Sequence, residues 1–190
     1  MGYHTFDAEN ADRLERPAAR YRWVSAEEVI GALTAERADR EATTVADLGS
    51  GTGFYADAVA PHVETVYGVD VQAEMHAFYR EKGVPENVEL VESDVATLPF
   101  EDGELDAAFS TMTYHEFASD AAVAELARVL RSGGRLALFD WSAAGDGEHG
   151  PSTDERFDAG DAAAALEATG FEVLLASERT ETFAVIARAP

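Results

Sequence analysis

Behind the apolar run Val45-Ala46-Asp47-Leu48 the sequence places three glycines in five residues, Gly49-Ser50-Gly51-Thr52-Gly53. Glycine lets backbone approach a ligand closely and takes dihedrals that other residues resist. A glycine loop between a strand and a helix is the context in which a cofactor is held. The dinucleotide fingerprint also asks for Gly or Ala three positions after its second glycine, and that place belongs to Phe54. Asp47, at the strand end, suits a cationic ammonium group and would repel a pyrophosphate. Asp70 ends the next apolar run, Val66-Tyr67-Gly68-Val69, where a carboxylate can accept both hydroxyls of a ribose. Alone, it serves equally well as a helix N-cap. Asp94, followed by Val95 and Ala96, suits adenine, which offers an exocyclic amine and a flat apolar face. Three successive strand ends thus carry the glycines with Asp47, then Asp70, then Asp94, and the order is more telling than any single acid.

A second group of reactive types follows the fourth strand, in Ser110-Thr111-Met112-Thr113-Tyr114-His115-Glu116. A histidine with an ordinary pKa near 6.5 can take a proton from a hydroxyl or an amine; equally, His115 can bond backbone and only shape a pocket wall. Asp140 and Trp141 end the fifth strand at the same rim, Trp141 as a stacking wall or as core. Phe6, Tyr21 and Trp23 are candidates for a lid, or for core packing. His4, His62, His76 and His149 are too scattered to form a metal set, so surface roles and no metal are expected. The chain has no cysteine, which excludes disulfides, thiolate ligands and cysteine nucleophiles.

These residues need elements to hold them. Strand patterns cover Thr44–Leu48, Thr65–Asp70, Val88–Ser93, Leu105–Thr111 and Arg135–Trp141, with Glu172–Ala176 and Thr182–Arg188 as a closing antiparallel pair. Between them fall helices at Phe54–Ala60, Ala73–Lys82, a stretch opening at Ser119, and Asp161–Thr169. Pro17 is placed to open a helix. Ser25 and Glu28 have capping-box spacing ahead of a stripe of Val29, Ile30 and Leu33. Ser142–Asp158 is a polar, glycine-rich loop. Such alternation implies a mostly parallel sheet covered on both faces, with ligands beyond the carboxyl ends of its strands.

The chain is 190 residues and 46% hydrophobic, enough for one domain with one core. Asp and Glu total 37 against 14 Lys plus Arg, a formal net charge of −23; Lys82 is the only lysine. That charge opposes docking on phosphate backbones or anionic lipid, so neither nucleic acid nor membrane is expected as a partner. Scattered rather than gathered in a tail, the acids fit a salt-rich cytoplasm that screens their repulsion, ahead of a cationic partner or substrate. The opening MGYHTFDAEN lacks a secretory pattern, and a cytoplasmic protein is expected.

With these motifs in order, the stretch from Thr44 to Trp141 resembles the class I S-adenosylmethionine (SAM)-dependent methyltransferases, in particular the small-molecule branch that includes menaquinone and ubiquinone methyltransferases. DLGSGTG is similar to that family's first motif, which holds the methionine end of SAM. GVD, ending at Asp70, resembles its ribose-binding acid, and SDVATLPF its adenine-binding segment around Asp94 and Val95. The resemblance implies a Rossmann-like α/β fold, a seven-stranded, mostly parallel sheet with helices on both faces and a last antiparallel strand. It implies one domain over residues 1–190, with a helical lid or substrate region at 1–40 and a cofactor-binding core at 44–141. The cofactor set it implies is Asp47, Gly49, Ser50, Gly51, Gly53, Asp70, Val71, Asp94, Val95 and Thr111. His115 becomes a candidate base and Tyr114 a candidate wall against sulfonium or substrate. SAM, leaving as S-adenosylhomocysteine (SAH), would methylate a small molecule, the protein acting as monomer or homodimer. No Asn/Asp-Pro-Pro-Tyr-type segment follows the fourth strand, so base-amino methylation of nucleic acid lacks its motif. Two rival readings stand beside this one: a SAM-binding regulatory or partner protein without catalysis, and an NAD-type oxidoreductase, which Phe54 opposes.

Overall fold

A computed structural model describes residues 8–34 and 43–190. Its centre is a seven-stranded sheet in the order β3-β2-β1-β4-β5-β7-β6, formed by β1 (Thr44–Leu48), β2 (Thr65–Asp70), β3 (Val88–Glu92), β4 (Leu105–Thr111), β5 (Leu130–Trp141), β6 (Glu172–Glu178) and β7 (Thr182–Arg188). Strands β3 to β5 run parallel, and β7 is antiparallel to both β5 and β6. Strands β1 and β4 are buried almost throughout because both of their faces are covered. The order reverses between β1 and β4, which opens a crevice at their carboxyl ends.

Seven helices surround the sheet among the described residues: α1 (Pro17–Arg20), α2 (Ala26–Thr34), α3 (Phe54–Val59), α4 (Ala73–Lys82), α5 (Tyr114–Phe117), α6 (Asp120–Val129) and α7 (Ala159–Ala168). The two faces of the sheet have separate cores. On one face Leu126, Val129 and Leu166 from α6 and α7 meet Leu136, Leu138 and Phe183. On the other, Val29, Leu33, Tyr55 and Tyr79 from α2, α3 and α4 meet Val45, Phe109 and Phe139. The capping box ahead of α2 forms: Ser25 Oγ accepts the Glu28 N–H at 3.2 Å, and Glu28 accepts the Ser25 N–H at 3.0 Å. The buried stripe behind it is Val29, Ala32 and Leu33, with Ile30 half-buried.

Strand β5 begins at Leu130, not at Arg135 as its sequence pattern suggests. Leu130 pairs with Leu105, and pairing resumes at Arg135 opposite Ala107, so residues 131–134 bulge out against Asp106. The bulge needs its glycines: Gly133 has φ +72, and a Cβ on Gly134 would lie 2.8 Å from the Arg131 carbonyl oxygen. Ahead of α1, residues Ala8–Glu15 form a 3-10 segment. Lys82 ties this segment to the body, its Nζ 2.7 Å from Asp57 on α3 and 3.1 Å from Glu15. Among the described residues no helix is long and apolar enough to cross a membrane.

Candidate active site

The crevice holds a cavity of about 1050 Å³, at the upper limit of the roughly 300–1,000 Å³ typical of small-molecule sites. One half is walled by Gly49–Thr52, Asp70, Val71, Asp94, Val95 and Thr111; the other by His115–Ser119, Trp141 and residues of the 150–157 loop. Strand ends, the turn after β4 and the 150–157 loop therefore face one space.

The three glycines have different reasons to be glycine. A Cβ on Gly49 would lie 2.3 Å from Thr113 Cγ2, and one on Gly53 would lie 2.0 Å from the Tyr79 ring. Both glycines also have positive φ, +74 and +78, so protein packing and backbone shape require them. Gly51 is different. It has φ +52, and the nearest atom to an added Cβ is Leu14 Cδ1 at 3.7 Å, so this glycine keeps the loop low against open cavity. The Gly51 N–H donates to Asp70 Oδ2 at 2.7 Å, and the Gln72 N–H donates to Oδ1 at 2.9 Å. Asp70 thus fixes the loop and the start of α4 while each oxygen keeps a further lone pair. Burial pushes its carboxyl up, opposed by those two N–H groups. Asp94 accepts the Ala96 N–H at 2.8 Å, which turns Val95 into the wall, and Val71 is 48% exposed, an apolar shelf beside Asp70.

Three expectations need correction. Asp47 does not line the cavity: it is fully buried behind the loop. Burial pushes its carboxyl up to about 8, opposed by Arg20 and reinforced by Asp70. Tyr114 does not reach the cavity either. It is 2% exposed and packs edge-on against Phe117, Phe157 and Phe183 with ring centres 5.5, 5.6 and 6.2 Å away. His76, expected on the surface, is buried beside Asp70. His149 is exposed against Trp23, and His62 is half-buried. Phe6 and His4 lie outside the described residues. Tyr21 packs on Phe54, and Trp23 on Trp141 at 5.2 Å. Trp141 itself lines the cavity.

Arg20 was missed. Its guanidinium enters the cavity wall 5.0 Å above the Tyr55 ring. Burial pulls its pKa down, against Tyr55 and Asp47. Arg20 Nε, Asp47 Oδ1 and Ser50 Oγ are all buried without hydrogen-bond partners. Of these, Arg20 and Ser50 belong to cavity-lining residues, and a guanidinium with an unpaired hydroxyl at one loop suits a carboxylate-bearing group.

Across the cavity stands His115, its side chain 9% exposed. Its Nδ1 lies 2.9 and 3.1 Å from the two carboxylate oxygens of Asp140. Asp140 is wholly buried and also accepts the N–H groups of His115 at 2.6 Å and Trp141 at 2.7 Å. A carboxylate on Nδ1 makes that nitrogen the protonated one and leaves Nε2 basic. Burial lowers the His115 pKa, but the bond to Asp140 and the charges of Asp140, Glu116 and Glu155 outweigh it, so it is raised above 6.5. Just before it Met112 takes φ +62, a left-handed conformation that costs a non-glycine residue roughly 1 kcal/mol or more. Register reveals the dyad: Thr111 pairs with Phe139, so the ends of β4 and β5 flank one rim.

A seven-stranded sheet of this order with a glycine loop and acids at the first three strand ends is the architecture of a class I methyltransferase. A family model of the methyltransferase domain matches residues 46–138. A SAM-dependent methyltransferase of Aquifex aeolicus superposes with TM-score 0.84 at 28% identity, covering 98% of this chain and 100% of that one. Over 103 residues the chain is 37% identical to demethylmenaquinone methyltransferase of Thermus thermophilus, covering 51% of this chain and 46% of that protein. It is 41% identical over 102 residues to the uncharacterised methyltransferase YcgJ of Bacillus subtilis, covering 50% of this chain and 40% of that protein. The chain spans about half the length of the curated relatives it matches. Residues 46–138 match a methyltransferase domain, the whole chain resembles a SAM-dependent methyltransferase, and SAM is the cofactor that domain and fold imply.

Proposed function

We propose that the protein transfers a methyl group from SAM to a small-molecule acceptor, with His115 as general base. The observation that carries this reading is the single cavity shared by the glycine loop with its orphaned polar atoms and by the His115–Asp140 dyad. Arg20 and Ser50 would hold the methionine end, with Asp47 buried behind them as a protonated acid that a cationic group bound in front of it would draw toward ionisation. Asp70 would take the ribose, and Asp94, Val71 and Val95 the adenine. Thr111 would border the reacting end. Gly49 and Gly53 give the loop its shape, and Gly51 its clearance. When bound, the cofactor supplies an electrophilic methyl on a sulfonium. The chain's own work is then to align an acceptor, exclude water and remove a proton at His115 Nε2; alignment alone is worth roughly 7–11 kcal/mol. Leu14 and Arg20 in the wall support an N-terminal lid that helps to close the site. The acidic surface fits a salt-rich cytoplasm, with the protein working as monomer or homodimer.

Calorimetry of SAH binding in molar KCl, with Asp70→Ala as the control, tests the cofactor half. Binding that disappears in the variant is expected. No binding by folded protein would remove the reading, and binding with no SAH formed from SAM across acceptor classes would leave a SAM-binding protein without catalysis.

A further inference from the structure

We propose that Lys82, which stands outside the cavity, is a positioning residue: it fastens the N-terminal wall of the cofactor site and so sets how fast the cofactor leaves. This deepens the methyl-transfer reading above and rests on its cofactor half. One chain of contacts grips the glycine loop at two points and closes on itself. It leaves the loop at Gly53, where an added Cβ would lie 2.0 Å from the Tyr79 ring. The Tyr79 hydroxyl donates to Asp57 Oδ1 at 2.6 Å, and Asp57 Oδ2 is 2.7 Å from Lys82 Nζ. From Lys82 the chain crosses to the 3-10 segment Ala8–Glu15, with Nζ 3.2 and 3.1 Å from the two carboxylate oxygens of Glu15. Leu14 returns it to the loop, its Cδ1 3.7 Å from where a Cβ on Gly51 would stand. Leu14 also lines the cavity, and Lys82 does not. The ammonium of Lys82 is thus the point at which this wall is tied to α3, which the loop opens, and to α4.

The chemistry of the tie explains why it is a cation. Glu15 and Asp57 approach one another from separate elements, and the ammonium between them bonds both. Without it two carboxylates would face each other in a chain whose net charge is already −23. The Lys82 side chain is only 20% exposed, so molar salt screens these pairs less than it screens open surface charges. The Tyr79 ring lies under it, with Nζ 4.6 Å from the ring centre, a further attraction for a cation. The segment has little else to hold it: of the side chains from Asn10 to Glu15, only Ala11 is buried. With the tie cut, the repelled segment can lift from α3 and α4. Leu14 then leaves Gly51, and the cavity opens beside the loop on which the methionine end of the cofactor would rest. Lys82 therefore acts on the cofactor through Leu14, without touching it.

The test is the rate of SAH dissociation in molar KCl, not turnover. Wild-type protein is measured first; folded protein that binds no SAH overturns the cofactor reading and this inference with it. From Lys82→Met, SAH should leave about tenfold faster, the size of one charge-assisted hydrogen bond. Lys82→Arg can reach the same two carboxylates and should restore the slow rate. Leu14→Ala should release SAH faster although Lys82 is intact. Glu15→Gln should also speed release, and adding it to Lys82→Met should change little, because the tie is already cut. Amide hydrogen exchange reads the opening itself: it should quicken across residues 8–15 in Lys82→Met while α3 and α4 exchange as before. If Lys82→Met does not fold, Glu15→Gln and Leu14→Ala carry the test, since both leave the Tyr79–Asp57–Lys82 contacts in place. Wild-type release from Lys82→Met or from Leu14→Ala overturns the proposal and leaves the cofactor reading standing. So does release from Lys82→Arg as fast as from Lys82→Met, or quickened exchange spread over α3 and α4, which would mark Lys82 as a support of the fold alone.

Discussion

Asp47→Asn is expected to make the ligand-free protein more stable, by an amount that grows with pH. The carboxyl ionises near 3.8 in the unfolded chain but is pushed up to about 8 by burial in the native one, with Arg20 opposing and Asp70 adding to the rise. Between those two values the native state keeps a proton that the unfolded state has lost. Stability therefore falls as pH rises, by about 1.4 kcal/mol per pH unit, and levels off above the native pKa. Below the unfolded value both states are protonated and nothing is lost. At neutral pH the accumulated loss is about 4 kcal/mol. Asn has the shape of the protonated acid and cannot ionise, so the variant escapes this loss. For a chain of this size about 4 kcal/mol corresponds to a melting point higher by roughly 10 °C. The assay is thermal and denaturant unfolding of both proteins in constant molar KCl from pH 4 to 9. Curves that meet near pH 4 and diverge toward pH 8 are expected. Parallel curves, or a variant less stable at pH 8, would show that Asp47 is not a buried acid held against its charge. Arg20→Met supplies a second check: without the opposing cation, the wild-type pH dependence should steepen on its alkaline side.

Three further outcomes follow from the same geometry. Because the His115 pKa lies above 6.5, kcat/KM should rise with pH through an inflection above that value, and His115→Ala should lower turnover roughly 100-fold. Asp140→Asn removes the partner that outweighs burial, so its inflection should move to lower pH; an unmoved inflection would separate His115 from the profile. Gly53→Ala drives a Cβ into the Tyr79 ring and should lower the melting point by several degrees, whereas Gly51→Ala, with only Leu14 at 3.7 Å, should fold and lose SAH affinity instead. Finally, with a net charge of −23, the fold should gain stability between low and molar KCl; equal stability at both would remove the screening argument.

The glycine-loop half of the cavity could be read from sequence because it is built from local events. An apolar strand, a turn and a helix start are all contiguous in sequence, and the acid or glycine at each strand end is carried to the rim wherever the strand lies in the sheet. The bounds of β1, β2, β4 and β7 follow from the same alternation of β-branched and apolar runs with polar ends. The acceptor half is different, since its residues are selected by contacts far apart in sequence. Arg20, although on the glycine-loop side, escaped for the same reason: it stands in a short helix with no pattern of its own, and only Tyr55 and the buried Asp47 explain why it is there.

Tyr114 and His115 show why neighbouring residues could not be ranked. Both sit on the single turn α5, where adjacent side chains point about 100° apart, so the two meet different surroundings. Nothing in Thr113-Tyr114-His115-Glu116 chooses between them. The choice is made from β5: Asp140 accepts both the backbone N–H and the ring nitrogen of His115, which fixes the rotation of the turn and sends Tyr114 inward to Phe117, Phe157 and Phe183. The two short sequences that end β4 and β5 thus act as halves of one device, and their coupling is set by the register of adjacent parallel strands. Losing Asp140 should therefore free the turn as well as weaken the base, and the Tyr114 ring, not only His115, would report it.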